Sequence, residues 1–125
     1  MKDKRNILLI DDSRKFAYQI QLILFTNGST GSVEIATSLQ EAEDIISKND
    51  RLLIISDITV GGENTLDLIR KAKKSVANIS VIVLTNYFDE THRLYAHEAG
   101  ADFFIDKTLA FQDLPRVLAQ AHPAY

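Results

Sequence analysis

The chain of 125 residues has no cysteine and no tryptophan, one methionine and two prolines. Without cysteine, neither a disulfide framework nor a thiolate zinc site can form, and that absence accords with a reducing, cytoplasmic setting. An excess of positive charge is also missing. Fourteen Lys and Arg stand against 17 Asp and Glu, a formal net charge of −3. A domain that neutralises nucleic-acid phosphates needs a basic face, so direct contact with DNA or RNA is not expected. Long apolar runs are lacking too. Ile7–Ile10 is followed at once by Asp11 and Asp12, too short a run for the core of a signal peptide. No stretch approaches the ~20 residues of a membrane span, so no membrane insertion is expected. There is no internal repeat, low-complexity segment or Pro/Gly/Ser linker. One soluble domain over 1–125 is expected. A chain of this size buries about two thirds of its unfolded surface.

Short apolar runs alternate with longer segments of helical period. Five runs read as strands: Ile7–Ile10, Val33–Ala36, Leu52–Ser56, Ser80–Leu84 and Asp102–Ile105. Three of them (ILLI, LLIIS, SVIVL) are apolar at nearly every position, as in strands buried on both faces of a parallel sheet. Between them, Phe16, Ile20, Ile23 and Leu24 share a helical face that Asn27-Gly28 would end. Ser38 and Glu41 form a capping box ahead of Leu39, Ala42, Ile45 and Ile46. Leu66, Ile69, Lys73 and Val76 mark a third helix, and Tyr95, Ala96 and Ala99 a fourth that stops at Gly100. Leu114, Val117, Leu118 and Ala121 mark a fifth, in which Pro115 fits only within the first turn. The order βαβαβαβαβα demands an α/β fold, a doubly wound five-stranded parallel sheet with helices on both faces. In such sheets ligands bind beyond the carboxyl ends of the strands.

Polar residues stand at those ends. Asp11 and Asp12 follow the first strand, Asp57 the third, Thr85 the fourth and Lys107 the fifth. Three carboxylates in one crevice repel and call for a cation. All-oxygen ligands favour a hard divalent ion such as Mg²⁺, which keeps several waters beside one or two carboxylates. A carboxylate beside such an ion can act as a nucleophile towards phosphorus. Lys107 and Thr85 then offer an ammonium and a hydroxyl to the phosphoryl oxygens. Asp57, on the central strand, is the best-placed nucleophile. Singly, each feature has a plain structural reading: an Asp pair is often a turn or cap, and a lone Thr or Lys is usually solvated. Their conjunction at four strand ends is what points to a site.

On the segments ILLIDDSR, LLIISD, VIVLTN and AGADFFIDK, the chain resembles the receiver domains of two-component response regulators, over nearly its whole length. Within that family it is most like the single-domain, chemotaxis-regulator form. The resemblance implies a flavodoxin-like fold with strand order 2-1-3-4-5. It implies a phosphorylation-dependent switch in which Asp57 accepts a phosphoryl group from a histidine kinase or histidine phosphotransfer protein, as in a phosphorelay. The domain would be a phosphoacceptor rather than an enzyme, though able to catalyse its own phosphotransfer and dephosphorylation. Asp12, Asp57 and the Thr59 backbone carbonyl would ligate Mg²⁺, with Mn²⁺ as an alternative, and Asp11 would act through a metal-bound water. Thr85 would turn inward to the phosphoryl group and Phe104 would rotate behind it. That change would reshape the face of the fourth helix, fifth strand and fifth helix, where a downstream protein docks.

Several positions depart from the family pattern. Val60-Gly61-Gly62 and Thr65 replace a segment that commonly reads Met-Pro and later Gly, and the two glycines should loosen that loop. Thr108 stands where a cis-proline is usual, so a trans bond is expected. Asn86 replaces a small residue beside the switch threonine. His92, His97 and His122 read as surface histidines, while Tyr87 and Phe88 could equally meet a partner or pack under their loop. Two rival readings are a pseudo-receiver, an interaction module without phosphotransfer, and another enzyme on a similar sheet. Against the second, no Gly-rich loop follows the first strand. Thr59 also stands where an aspartate-nucleophile hydrolase would need its second acid. Met1 and the short tail suggest a natural single domain.

Overall fold

A computed structural model describes residues 5–26, 30–76 and 78–121. Five strands make the main sheet: β1 (Arg5–Ile10), β2 (Thr30–Ala36), β3 (Arg51–Ser56), β6 (Asn78–Thr85) and β7 (Phe103–Asp106). Their order is β2-β1-β3-β6-β7, all parallel. This is the expected 2-1-3-4-5 order once the small hairpin of β4 (Thr59–Val60) and β5 (Glu63–Asn64) is set aside. The helices are α1 (Arg14–Thr26), α2 (Leu39–Ser47), α3 (Leu66–Ser75), α4 (Glu90–Ala99) and α5 (Ala110–Ala121). The proposed stop at Asn27-Gly28 lies outside the described residues, as does His122.

Strand side chains alternate between faces, and here both faces are apolar. Ile7, Leu9, Leu53, Ile55, Ile82, Leu84 and Ile105 meet Ala17, Ile20 and Leu24 of α1 and Leu114 and Val117 of α5. Leu8, Ile10, Ile54, Val81 and Val83 meet Ala42 and Ile46 of α2, Ile69 and Ala72 of α3 and Ala96 and Ala99 of α4. Each fully buried Ile or Leu contributes roughly 1.5–3 kcal/mol. This double burial is why ILLI, LLIIS and SVIVL carry no polar alternation.

Local chemistry shifts several boundaries. Ser38 caps α2 by accepting from Glu41 N at 3.2 Å, but Glu41 Oε1 reaches back to Thr37 N at 2.8 Å and not to Ser38. The capping box is therefore one residue wider than expected. The last strand begins at Phe103; Asp102 before it donates its N–H to Val81 O at 2.8 Å and accepts with its carboxylate. Asp102 Oδ2 accepts from Val81 N at 2.8 Å and from Lys73 Nζ at 3.0 Å. Lys73 runs under Gly100, where an added Cβ would come within 3.0 Å of Lys73 Cγ. Gly100 also holds φ +109°, so it ends α4 on both steric and conformational grounds.

Two helix expectations fail. Tyr95 is 57% exposed and does not share the buried face of Ala96 and Ala99, which two small side chains suffice to seat. Pro115 lies in the sixth position of α5, not the first turn, because a 3₁₀ turn over Lys107–Leu109 starts the helix at Ala110. The missing N–H costs α5 one intrahelical bond.

Candidate functional site

The register explains how distant residues meet. Ile10 pairs with Ser56 across β1 and β3, so Asp11 and Asp57 are the next step on each strand. By the period of two, they continue the row of Leu9 and Ile55 that faces α1 and α5. Lys107 continues the same row after Ile105. Thr85 follows Val83 and Phe104 on the opposite face. The site is thus the polar end of two apolar rows.

Lys107 Nζ lies 2.8 Å from Asp11 Oδ2 and 3.0 Å from Asp57 Oδ2. It also stands 4.5 Å above the Phe16 ring centroid, a cation–π contact. The three charged side chains are only 8–13% exposed, so their interaction is poorly screened. Burial pushes the Lys107 ammonium down, but its hydrogen bonds to Asp11 and Asp57, and their charges, outweigh burial and hold it above its ordinary 10.5. One cation balances two carboxylates, leaving a net negative crevice.

The main chain at Asp57 is clamped. Its N–H donates to Ile10 O at 3.1 Å, and its carbonyl accepts from Thr65 Oγ1 at 2.6 Å and Ser56 Oγ at 2.7 Å. Asp57 Oδ1 accepts from Ile58 N at 2.7 Å. Asp11 Oδ1 accepts from Ser13 N at 2.8 Å. Asp12, exposed at the rim, accepts from Gly61 N through Oδ2 at 2.9 Å, and among the described residues its Oδ1 has no hydrogen-bond partner.

That last contact corrects the expectation of a loosened loop. Gly61 and Gly62 hold φ of +61° and +78°, the positive values that a two-residue type I′ hairpin turn demands at both positions. The glycines make a tight hairpin that presents Gly61 N to Asp12. Thr65 was not singled out as a site residue, since a Thr ahead of a helix reads as an N-cap. Its hydroxyl caps nothing, and Leu66 N bonds Asn64 Oδ1 instead.

Thr85 is fully buried and accepts from Tyr87 N at 3.1 Å, while its own hydroxyl hydrogen finds no acceptor among the described residues. Phe104 is half-buried and stacks on Phe88 at 5.2 Å. Tyr87 stacks on His92 at 5.1 Å, and His92 Nδ1 lies 2.8 Å from Asp89. Both loop aromatics pack locally and still leave half their surface exposed. Asn86, exposed, borders an opening of about 310 Å³ with Ser13, Phe16, Lys107 and Thr108. The Lys107–Thr108 bond is trans. No three Asp, Glu, His or Cys side chains among the described residues are arranged to hold a metal by themselves. The donors are all oxygen, which suits a hard divalent ion that keeps most of its waters.

Fold and site together define a doubly wound α/β domain with a lysine-bridged carboxylate pair at the carboxyl edge of its sheet. The chain belongs to the response regulator receiver domain family, which residues 7–119 match. It is 29% identical over 108 residues to response regulator MprA of Mycobacterium sp. (strain KMS), covering 86% of this chain and 46% of that protein. It is 24% identical over 119 residues to response regulator protein VraR of Staphylococcus saprophyticus, covering 93% and 56%. The chain thus spans about half the length of these relatives. Among solved structures, a CheY-like receiver domain protein from Methanospirillum hungatei JF-1 superposes with TM-score 0.84 at 25% identity, covering 98% and 97%. A Burkholderia pseudomallei response regulator with a phosphorylated aspartic acid, calcium ion and citrate shares the fold, with TM-score 0.75 at 24% identity over 94% and 72%. Receiver domains serve phosphorylation-dependent signalling and are not enzymes of the ordinary kind. No helix among the described residues is long and apolar enough to cross a membrane.

Proposed function

We propose that Asp57 is the phosphoacceptor of a cytoplasmic signalling switch, charged by a histidine kinase or histidine phosphotransfer protein. The supporting observation is the bridge from Lys107 Nζ to Asp57 and Asp11. An Asp57 carboxylate oxygen attacks phosphorus as the bond from phosphorus to the donor imidazole nitrogen breaks, and the imidazole leaves with its electron pair. Lys107 then neutralises a phosphoryl oxygen from the place it already occupies. Thr85 gains the acceptor its buried hydroxyl hydrogen lacks. Its inward turn, followed by Phe104, shifts the population of the face made by α4, β7 and α5. That face exposes Leu94, Tyr95 and Phe111 for a downstream protein partner.

Asp12, Asp57 and the Thr59 carbonyl would hold Mg²⁺ or Mn²⁺, with Asp11 in the outer sphere; the ion would supply charge to the phosphoryl oxygens. Alternation of bonded and non-bonded pairs in the hairpin makes Val60–Glu63 the bonded pair that closes the turn. Thr59 falls in the non-bonded pair, so the hairpin does not itself use that carbonyl.

Incubation with acetyl phosphate and Mg²⁺, read by intact mass, tests the assignment. The chain should gain one phosphate, lose that gain in excess chelator, and show none as Asp57→Asn. A wild-type chain that is never labelled would make it a pseudo-receiver, and labelling of Asp57→Asn would move the acceptor elsewhere.

A further inference from the structure

Gly61 and Gly62 are two of the chain's five glycines, and neither is glycine for want of room. A Cβ added at either position meets nothing within 4 Å. Conformation alone demands glycine here, through φ of +61° and +78°, values at which a β-branched residue is an outlier. A hairpin with two paired residues on each side is too short to hold itself together in water. It is tied down at two places. At its base Val60 is fully buried, and Thr65 N donates to Ile58 O at 2.7 Å. At its tip Gly61 N donates to Asp12 Oδ2 at 2.9 Å, across 49 positions of sequence.

Asp12 depends on that donor more than its neighbours depend on theirs. Lys107 bridges Asp11 and Asp57, and Ser13 N and Ile58 N fix their other oxygens. Among the described residues, Gly61 N is the one hydrogen-bond partner of the exposed Asp12 carboxylate. Without it, an exposed Asp side chain samples several rotamers. With Oδ2 held, the carboxylate keeps one orientation and Oδ1 keeps its lone pairs. The same hairpin carries Thr59, two residues before Gly61. Closing the Val60–Glu63 pair sets the register that places Thr59 opposite Asn64. One two-residue turn therefore governs two of the three groups read above as ligands of a divalent ion, the Asp12 carboxylate and the Thr59 carbonyl.

We infer that the Gly61-Gly62 turn is a positioning element for divalent-ion binding: the Gly61 N–H holds Asp12 ready and stays bonded to Oδ2 when Oδ1 takes the ion. The inference rests on the reading of Asp12 as a metal ligand given above. Two effects oppose each other. The N–H draws electron density from the carboxylate, which weakens it as a ligand. It also removes the cost of ordering an exposed side chain at the moment of binding. Hydrogen-bond partners of metal ligands are typically worth roughly ten- to a hundredfold in affinity, so ordering prevails.

Mg²⁺ alone, titrated into the isotope-labelled chain and followed by backbone amide shifts, tests the inference without any phosphodonor. Gly61→Val cannot readily hold a positive φ and should raise the Mg²⁺ dissociation constant about tenfold. Gly61→Asn should stay within about twofold of the wild type, because Asn-Gly is a favoured pair for such a turn. The open space at position 61 makes the contrast one of backbone conformation and not of packing. In the wild type, the Gly61 amide proton should exchange slowly with water both before and at saturation with Mg²⁺. Binding that is unchanged or tighter in Gly61→Val, an equal weakening by Gly61→Asn, or a Gly61 amide freed at saturation would each overturn the inference alone. A wild type that binds no Mg²⁺ would overturn it together with the metal reading.

Discussion

Thr65 Oγ1 lies 2.6 Å from the main-chain carbonyl oxygen of Asp57, so the first turn of α3 is tied to the end of β3 at the proposed acceptor. Thr65→Val keeps the shape and removes the donor. It should cost about 1–2 kcal/mol, the net worth of a buried hydrogen bond plus a partly unmet carbonyl. Labelling of Asp57 should slow several-fold, because a less constrained nucleophile samples the productive geometry less often. Thr65→Ser should restore most of both. Urea unfolding and acetyl phosphate time courses check this, and a Val variant equal to wild type would mean that Ser56 alone suffices.

Lys107→Ala leaves Asp11 and Asp57 facing each other without their cation. We expect roughly 1–3 kcal/mol of lost stability in the absence of divalent ions. Added Mg²⁺ should recover more of it than it adds to the wild type. Some labelling should persist, since the ammonium would contact the phosphoryl group and not attack it, but the coupled change in the partner-binding face should weaken. Thermal melts with and without Mg²⁺ decide the first point. Partner affinity in the presence of a beryllofluoride-type mimic decides the second, and unchanged affinity would remove Lys107 from the switch.

Asn86 stands at the rim of the opening beside Lys107. A donor or a hydrolytic water must approach in line with the breaking bond. Asn86→Ala should therefore speed labelling by small donors and shorten the life of phospho-Asp57. A longer-lived phosphate in the variant would show instead that the Asn amide assists hydrolysis.

Acid should attack the caps before the core. Glu41 is held below its ordinary 4.5, chiefly by the Thr37 N–H and then the Thr37 hydroxyl. Asp89 is held below its ordinary 3.8, chiefly by the His92 N–H and then the His92 ring. A depressed carboxylate contributes stability that is present above its ordinary pKa and lost as pH falls through the folded value. Lys107, held above 10.5, contributes fully below that value and loses its contribution only in strong alkali. Stability should thus be flat with respect to these groups from about pH 5 to 9. Asp89→Asn keeps a cap acceptor but removes one titration, so it should be less stable than the wild type near neutral pH and lose less stability on acidification, the two converging in acid. An equal loss on acidification would rule out Asp89.

The sheet was legible because its strands are buried on both faces, and Ile7–Ile10, Leu52–Ser56 and Ser80–Leu84 carry no polar residue but a serine at one end of the latter two. Asp11, Asp57 and Lys107 were legible because each stands just past the carboxyl end of a strand, and the register then sets them side by side. The Thr59–Asn64 hairpin was missed, since two glycines signal freedom in sequence but a defined turn once both adopt positive φ. Thr65 was missed because its distant acceptor, a main-chain carbonyl, has no side-chain signature. Tyr95 and Pro115 misled for one reason: periodicity assigns faces but does not say where a helix begins or how little is needed to seat it.

Phe104 rests stacked on Phe88, and this has a bearing on the idle state of the proposed switch. Turning Phe104 inward must first part the two rings. An aromatic pair is worth about 0.5–1.5 kcal/mol beyond its buried area, a factor of roughly 2–12 in an equilibrium. The stack therefore acts as ballast: without input, the signalling form is rarer by that factor than it would be with a small residue at 88. Phosphorylation must overcome the same weight, so a quieter baseline comes with a smaller fully stimulated response.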